Sequence, residues 1–403
     1  MRKKIILIIL VSIFIITMVV INLNKEVIMV DLSNYTIEEI KNYAAKNNLK
    51  LTIKEEYSDL KKGSVISQSI KAGSAIKTNK LIITISNGIS YSEVYSTYKV
   101  NELGYIPVMM YHGTHNVKSS DTAYTGGNVD KEGYQRTNEA FKKDLEFYYQ
   151  EGYRMIRLED YVNGSIDVEI GKSPIVLTFD DGLQNNINVL GLDDNGEIII
   201  DPNSTVGILE SYKEKYPDFN VTATFFVNGG LFQQPKYNNQ ILKWLVHHGY
   251  DVGNHSYGHA NFKHINTEQT QKEIARLYQQ LDSIIKNQYV NIVALPFGSP
   301  FVDTHPNYKY ILEGTYQDYN YQTISTLKVG YKSDYSPFDK RFNSKFINRI
   351  RAYDNNGTEF DIEMNFKLLK NNKYVSDGNV NKIVIPKTEI SNINSNYKEV
   401  VTY

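Results

Sequence analysis

The pattern of apolar and polar positions changes character three times along the chain. Residues 5–21 form an apolar run softened only by Ser12 and Thr17. Residues 27–88 carry short alternating runs, and from Ile106 onward short apolar runs alternate with stretches of helical period. In the middle segment, residues 27–30 read as a strand. Thr36 and Glu39 then form a capping box that opens a helix through Ile37, Ile40 and Ala44 and closes at Asn47 and Asn48. Strands are expected at 51–53, 65–69 and 81–85, set off by the turn pairs Lys62-Gly63 and Ala72-Gly73. Residues 89–105 alternate tyrosine with polar residues without a clear period and read as a linker or leading strand.

In the third segment the pattern predicts strands at 107–110, 175–179, 223–227 and 292–295. Helices are predicted at 141–150, 206–216, 240–248 and 267–286. The last is the clearest: Asn266 with Gln269 caps it, and Ile274, Leu277, Tyr278, Leu281, Ile284 and Ile285 share one face. Strand–helix alternation implies an α/β fold, a parallel sheet with helices outside, open or closed into a barrel. In such folds chemistry sits beyond the carboxyl ends of the strands. The tail from Asn371 is polar and asparagine-rich, with one strand expected at 382–385.

Length and composition narrow the function. A chain of 403 residues exceeds one small domain, and 41% apolar with 22% charged residues suits a folded, core-burying chain. Forty-four basic against 45 acidic residues leave a net charge of -1, so no basic field is available for a nucleic acid. With no cysteine, thiolate metal sites, disulfides and cysteine nucleophiles are excluded, and any metal must rest on His, Asp, Glu or backbone oxygen. No protein partner is predicted.

Arg2, Lys3 and Lys4 precede the first apolar run, whose seventeen residues span roughly 25 Å as a helix, the short end of a membrane crossing. A cleaved signal peptide shares that beginning, but the run is long for a signal core and no small-x-small site follows it at Ile21-Asn22-Leu23. We expect residues 1–24 to form a cytoplasmic tip and signal anchor, with everything after Asn22 outside the cell.

The middle module, residues 27–88, resembles the PASTA domain. The residues that carry the resemblance are Tyr35-Thr36 with Glu38-Glu39, the stretch Gly63-Ser64-Val65-Ile66-Ser67-Gln68-Ser69, Ala72-Gly73-Ser74, and Ile83, Ile85, Ser86, Asn87 and Gly88. The resemblance implies proximity to Gram-positive cell-wall peptidoglycan. No aromatic or charged cluster identifies a ligand, and a spacer lifting the next domain off the membrane fits equally well.

The strand ends of the large domain carry the candidate chemistry. Residues 175–179 run into Asp180, Asp181 and Gly182; two adjacent carboxylates are costly unless a cation or shared proton lies between them. Past the strand end, one can ligate a metal while the other serves as a base. Asp-Asp-Gly is also ordinary turn chemistry. After Asn254 come His255 and His259, four apart and able to turn both rings toward one ion. His247 and His248, by contrast, end a helix before Gly249, a structural position for histidine. One Asp and two His make a three-ligand site with an open position for water, the pattern of a hydrolytic zinc centre. Beyond residue 295, Pro296-Phe297-Gly298 fixes a sharp turn able to aim an N–H group.

Together these strand ends resemble the polysaccharide deacetylase family (carbohydrate esterase family 4, the NodB homology domain). Thr178-Phe179-Asp180-Asp181-Gly182 is similar to its first motif, His255-Ser256 with His259 to its second, and Leu295-Pro296-Phe297-Gly298 to part of its third. The resemblance covers about residues 106–300, within a domain expected at 106–403, and Met110-Tyr111-His112 resembles the opening of one subgroup. It implies a distorted (β/α) barrel that removes acetyl groups from N-acetylated sugars. By position it makes Asp181, His255 and His259 ligands of a divalent ion, zinc first, with Co, Ni or Mn as alternatives. Asp180 becomes the general base, and the Phe297 N–H the donor to the oxyanion. The implied partner is a cell-wall polysaccharide or peptidoglycan.

Three departures stand out. Ala294 occupies the place where the family has an arginine that positions the base, with Arg349 or Arg351 as substitutes although arginine on an alternating strand is commonly solvated. No tryptophan follows the third motif. The late general-acid histidine is missing, since His305 is the last one and reads as a loop residue, and His112 either borders the site or packs at a strand end. These departures leave a second reading, a catalytically degenerate wall sensor or tether acting through the PASTA-like module. An insertion around 190–217 contains Asp193-Asp194-Asn195-Gly196, read as a turn-rich hairpin rather than a calcium loop.

Overall fold

The computed structural model describes residues 27–358, 360–394 and 399–403. The expected anchor at 5–21 lies outside the described residues, and among them no helix is long and apolar enough to cross a membrane. The chain divides into two compact units, one ending at Val94 and the other beginning at Tyr95.

In the smaller unit, helix α1 (Ile37–Lys46) begins where the capping box places it. The Thr36 side chain accepts from the Glu39 N–H, and Glu39 accepts from the Thr36 N–H at 2.7 Å. Strands β1 (Lys50–Glu56), β2 (Val65–Gln68) and β3 (Lys80–Ser86) form one sheet in the order β1-β3-β2, parallel on one side and antiparallel on the other. Ile40 and Ala44 on α1 pack against Leu81 and Ile83 on β3, with Met29 and Leu32 closing the core. The strand expected at 27–30 is reduced to a single bridge, Ile28 to Ala75. Residues 91–98, without a readable period, form a helix (Tyr91–Tyr98) in which only Tyr95 is buried.

The larger unit is built on parallel strands β4 (Val108–Tyr111), β5 (Ser173–Phe179), β6 (Thr224–Val227), β7 (Asp251–Asn254), β8 (Ile292–Ala294), β9 (Ser325–Leu327), β10 (Phe346–Ile347) and β11 (Ile350–Arg351). They lie side by side in the order β10-β9-β8-β7-β6-β5-β4-β11, all parallel. The end strands β10 and β11 are two halves of one segment. Phe346 and Ile347 pair with β9, whereas Ile350 and Arg351 pair with β4. Ile347 and Ile350 are three peptide units apart, at most about 11 Å. Asn348-Arg349 therefore links the two edges of a parallel sheet that curves as a half-barrel, with a seam at these residues.

The apolar runs are continuous because both faces of the sheet are covered. Alternate residues separate cleanly. Val108, Val176, Phe226, Ile292, Ala294, Leu327 and Ile347 pack in one cluster, while Met109, Leu177, Phe179, Phe225 and Val252 pack in another with the helices. Helices α2 (Asn138–Gln150), α3 (Thr205–Lys215), α4 (Asn238–His247) and α5 (Thr267–Ile285) begin and end within a few residues of expectation. Val189–Leu192 and Ile198–Ile200 form the expected hairpin in the insertion. Asp193 spends its Oδ1 on the N–H groups of Asn195 and Glu197, as a turn residue does.

Candidate metal centre

The pocket beyond the carboxyl ends of β4, β5, β7 and β8 has a volume of about 360 Å³ and is lined by His112, Asp180, Asp181, His255, His259 and Phe297, with Tyr134 and Gln135 at its side. The sheet brings together every residue singled out for the site. Asp181 leaves β5 with φ +76°, and Ser256, His259 and Phe297 are also left-handed, at +58°, +53° and +59°. Non-glycine residues hold that conformation at a cost and only where surrounding structure enforces it. Here it turns the chain at the strand ends, beside the three candidate ligands.

His255 Nδ1 donates to the Ala294 carbonyl at 2.8 Å, which turns Nε2 toward Asp181. His255 Nε2 lies 3.2 Å and His259 Nε2 3.3 Å from the same oxygen, Asp181 Oδ1. The candidate ligand atoms of Asp181, His255 and His259 all fall within 4.8 Å of one another. Two imidazoles and a carboxylate so close suit a borderline divalent ion. Burial pushes the Asp181 carboxyl up, but the hydrogen bonds from His255 and His259 outweigh it and hold the group far below the usual carboxylate range. Burial pushes His255 down, and the Asp180 and Asp181 charges reverse that and raise it. The cluster is a place that attracts positive charge.

Asp180, 1% exposed, has a different environment. Arg349, fully buried at the seam, donates through Nη1 to Oδ1 at 2.8 Å and through Nη2 to Oδ2 at 2.7 Å. The guanidinium is fixed in turn, since Nε donates to the Lys328 carbonyl at 2.7 Å and Nη1 to Thr178 Oγ1 at 3.1 Å. Burial raises the Asp180 carboxyl, but Arg349, with His255, outweighs it and keeps it below its ordinary value. Gly330 is required beside this pair, because a Cβ there would stand 1.6 Å from the Arg349 carbonyl oxygen. Arg349, between the two short strands, is therefore not on a solvated face; its guanidinium is buried against Asp180.

His112 borders the pocket. Its Nε2 stands 4.0 Å from Asp181 Oδ2, its ring meets Tyr134, and its buried Nδ1 has no hydrogen-bond partner among the described residues. Burial holds it below the ordinary histidine value despite both carboxylates. Phe297, 55% exposed, lies at the rim with its ring edge-on to His259. His305 does not line the pocket; its Nδ1 accepts from the Asn307 N–H in a loop. His247 and His248 end α4, where His248 stacks on Trp244. Sequence reasoning undervalued Arg349 and His112. The apolar flanks of Arg349, Ile347 and Ile350, were the available signal.

Residues 167–311 match the family model described as polysaccharide deacetylase, and residues 27–87 match the PASTA domain. The larger unit thus carries a polysaccharide deacetylase domain and the smaller a PASTA domain, and the former supports a deacetylase. Among solved structures the chain is similar to the Streptococcus pyogenes deacetylase PplD in complex with acetate. That likeness has 18% identity and a TM-score of 0.45, and covers 65% of this chain and 98% of that one. It is also similar to a de-N-acetylase from Aggregatibacter actinomycetemcomitans (12%, TM-score 0.42, 66% and 99%) and to the peptidoglycan deacetylase PdaC from Bacillus subtilis (23%, TM-score 0.24, 36% and 55%). No curated protein matches the chain.

Proposed function

We propose that this protein removes acetyl groups from the N-acetylglucosamine residues of a cell-wall or surface polysaccharide, peptidoglycan in the first place. The observation that carries the reading is the convergence of His255 and His259 on one oxygen of Asp181, beside an Asp180 held ionised by Arg349. Asp181, His255 and His259 would hold a divalent ion, zinc before cobalt, nickel or manganese. When bound, such an ion supplies Lewis acidity that polarises an amide carbonyl and acidifies water.

The chain's own groups do the rest. Asp180 is the general base: its oxygens keep lone pairs beyond the two bonds from Arg349, and it takes the proton from the attacking water. His112 borders the pocket with Nε2 4.0 Å from Asp181 Oδ2, and because burial lowers its basicity it protonates the leaving amine only after receiving the proton that Asp180 has taken from water. The N–H of Phe297, turned by its left-handed conformation, donates to the oxyanion. With Arg349 on Asp180, the missing arginine at Ala294 ceases to favour a degenerate tether. The expected anchor at 5–21 and the PASTA domain support a location outside the cell, held to the membrane and facing the wall. Mass spectrometry of N-acetylated chitooligosaccharides incubated with the metal-loaded protein tests the reading. Stepwise acetyl loss with wild type and none with Asp180→Asn is expected; intact oligosaccharides in both overturn it.

A further inference from the structure

The two candidate ligand histidines are oriented by different means. His255 is fixed through its ring, since Nδ1 donates to the Ala294 carbonyl. The His259 side chain is 33% exposed. Its Nε2 faces Asp181 and its ring lies edge-on to Phe297, and among the described residues its Nδ1 has no hydrogen-bond partner. A metal-ligating histidine ordinarily fixes its ring through the second nitrogen. With no such bond, the direction of His259 Nε2 has to come from the backbone, which is left-handed there at φ +53°.

The loop that imposes this conformation is pinned to one stretch of α5. The Tyr257 N–H donates to the Glu273 carbonyl at 3.0 Å, and the Gly258 N–H donates to the Glu273 carboxylate, Oε2, at 2.5 Å. Asn254 Nδ2 reaches the Ile274 carbonyl at 3.1 Å while its Oδ1 accepts from the Ser256 N–H at 2.8 Å. The Arg276 guanidinium lies 3.7 Å from the centre of the Tyr257 ring, and Gly229 packs on the same ring, where a Cβ would stand 2.9 Å from it. Two side chains thus bracket His259. Glu273 holds the N–H before it, and Ser256 Oγ accepts from the Ala260 N–H after it, at 2.9 Å. Ser256 belongs to the second motif, whereas Glu273 lies outside every motif. Among the described residues no lysine or arginine pairs with Glu273, so its carboxylate serves a backbone N–H, a charge-assisted bond, rather than an ion pair on the helix face.

From this we infer that Glu273 is a positioning residue for the metal centre: by holding the Gly258 N–H, its carboxylate fixes the backbone of His259 so that Nε2 meets Asp181. The inference rests on the ligand set proposed above and adds the group that sets its geometry.

The test uses the full chain stripped of metal. Zinc affinity is read by competition with a chromophoric chelator, and ligand geometry by the visible spectrum of the cobalt-loaded protein. Glu273→Ala should weaken zinc binding by on the order of tenfold and shift the cobalt bands. Glu273→Gln keeps an oxygen acceptor and should return both readouts toward wild type. Asn266→Ala supplies the control for a weakened helix: it removes the cap of α5, where Oδ1 accepts from the Gln269 N–H at 2.8 Å, without touching the histidine loop. It should lower Tm and leave zinc affinity and the cobalt spectrum as in wild type. Wild-type affinity and spectrum in Glu273→Ala overturn the inference, and so does an equal loss in Asn266→Ala, which would assign the effect to helix stability. A Glu273→Gln variant no better than Glu273→Ala overturns the hydrogen-bond role. Wild-type protein that takes up neither zinc nor cobalt overturns the ligand set itself, and the inference with it.

Discussion

Replacing Arg349 with methionine removes the partner of a carboxylate that is almost wholly buried and meets solvent only through the pocket. Asp180 and Arg349 have side-chain exposures of 2% and 0%, and two parallel bonds of 2.8 and 2.7 Å join them. Breaking a buried pair on one side leaves an uncompensated charge, at a cost of about 3–5 kcal/mol. At about 2.1 cal/mol/K per residue over a unit of about 300 residues, that is a fall in Tm of about 5–8 °C. The same change releases the Lys328 carbonyl and Thr178, both bonded to the guanidinium. Lysine at 349 should not rescue, since an ammonium cannot make the planar two-bond contact. The cycle that isolates the pair adds Asp180→Asn, and the double variant should be more stable than Arg349→Met alone because no charge remains to be buried. Thermal unfolding of the four proteins and acetate release at saturating metal give the readouts. Arg349→Met within 1 °C of wild type, or a double variant less stable than either single by the full sum, would refute the argument.

Other expectations follow the same physics. His255→Ala and His259→Ala should each lose bound divalent ion by mass spectrometry of metals; full retention in either contradicts the ligand set. His112→Gln should keep the metal and lower kcat at least tenfold; an unchanged kcat removes its role as acid. Glu102 is buried, and burial, with the Asp377 charge, pushes its carboxyl up to about 8. The folded state then keeps a proton that the unfolded chain releases near pH 4.5, so stability falls between pH 4.5 and 8, by up to about 1.4 kcal/mol per unit, and levels off above. Glu102→Gln should flatten that fall in a Tm series; an unchanged slope refutes it. In the small unit, Thr36→Ala should cost about 1 kcal/mol by removing the helix cap, read from its unfolding midpoint.

The sequence made the strand-end chemistry legible because each piece is local. Asp180 and Asp181 are adjacent, His255 and His259 are one helical turn apart, and the strands before them are apolar runs long enough to see. The seam was not legible. β10 and β11 are two residues each, too short to leave a period, and β11 pairs with β4, far away in the chain. Arg349 lies 169 residues from Asp180, so nothing in its neighbourhood announces the partner. His112 was visible as a strand-end histidine, but its place beside Asp181 comes from the pairing of β4 with β5, Tyr111 opposite Phe179, which the sequence does not announce. The helix Tyr91–Tyr98 within residues 89–105 was hidden for a related reason: it buries a single side chain, Tyr95, and so shows no apolar stripe.

The central claim is that a metal held by Asp181, His255 and His259 drives removal of acetyl from an N-acetylated sugar polymer. The most direct measurement is acetate released from chitotetraose by metal-stripped protein as zinc is added back. The account predicts no acetate from the stripped protein, a rise that saturates near one equivalent of zinc, and no rise in His255→Ala. Release that is unchanged by metal removal, or none at any zinc level from either the oligosaccharide or peptidoglycan, would contradict it.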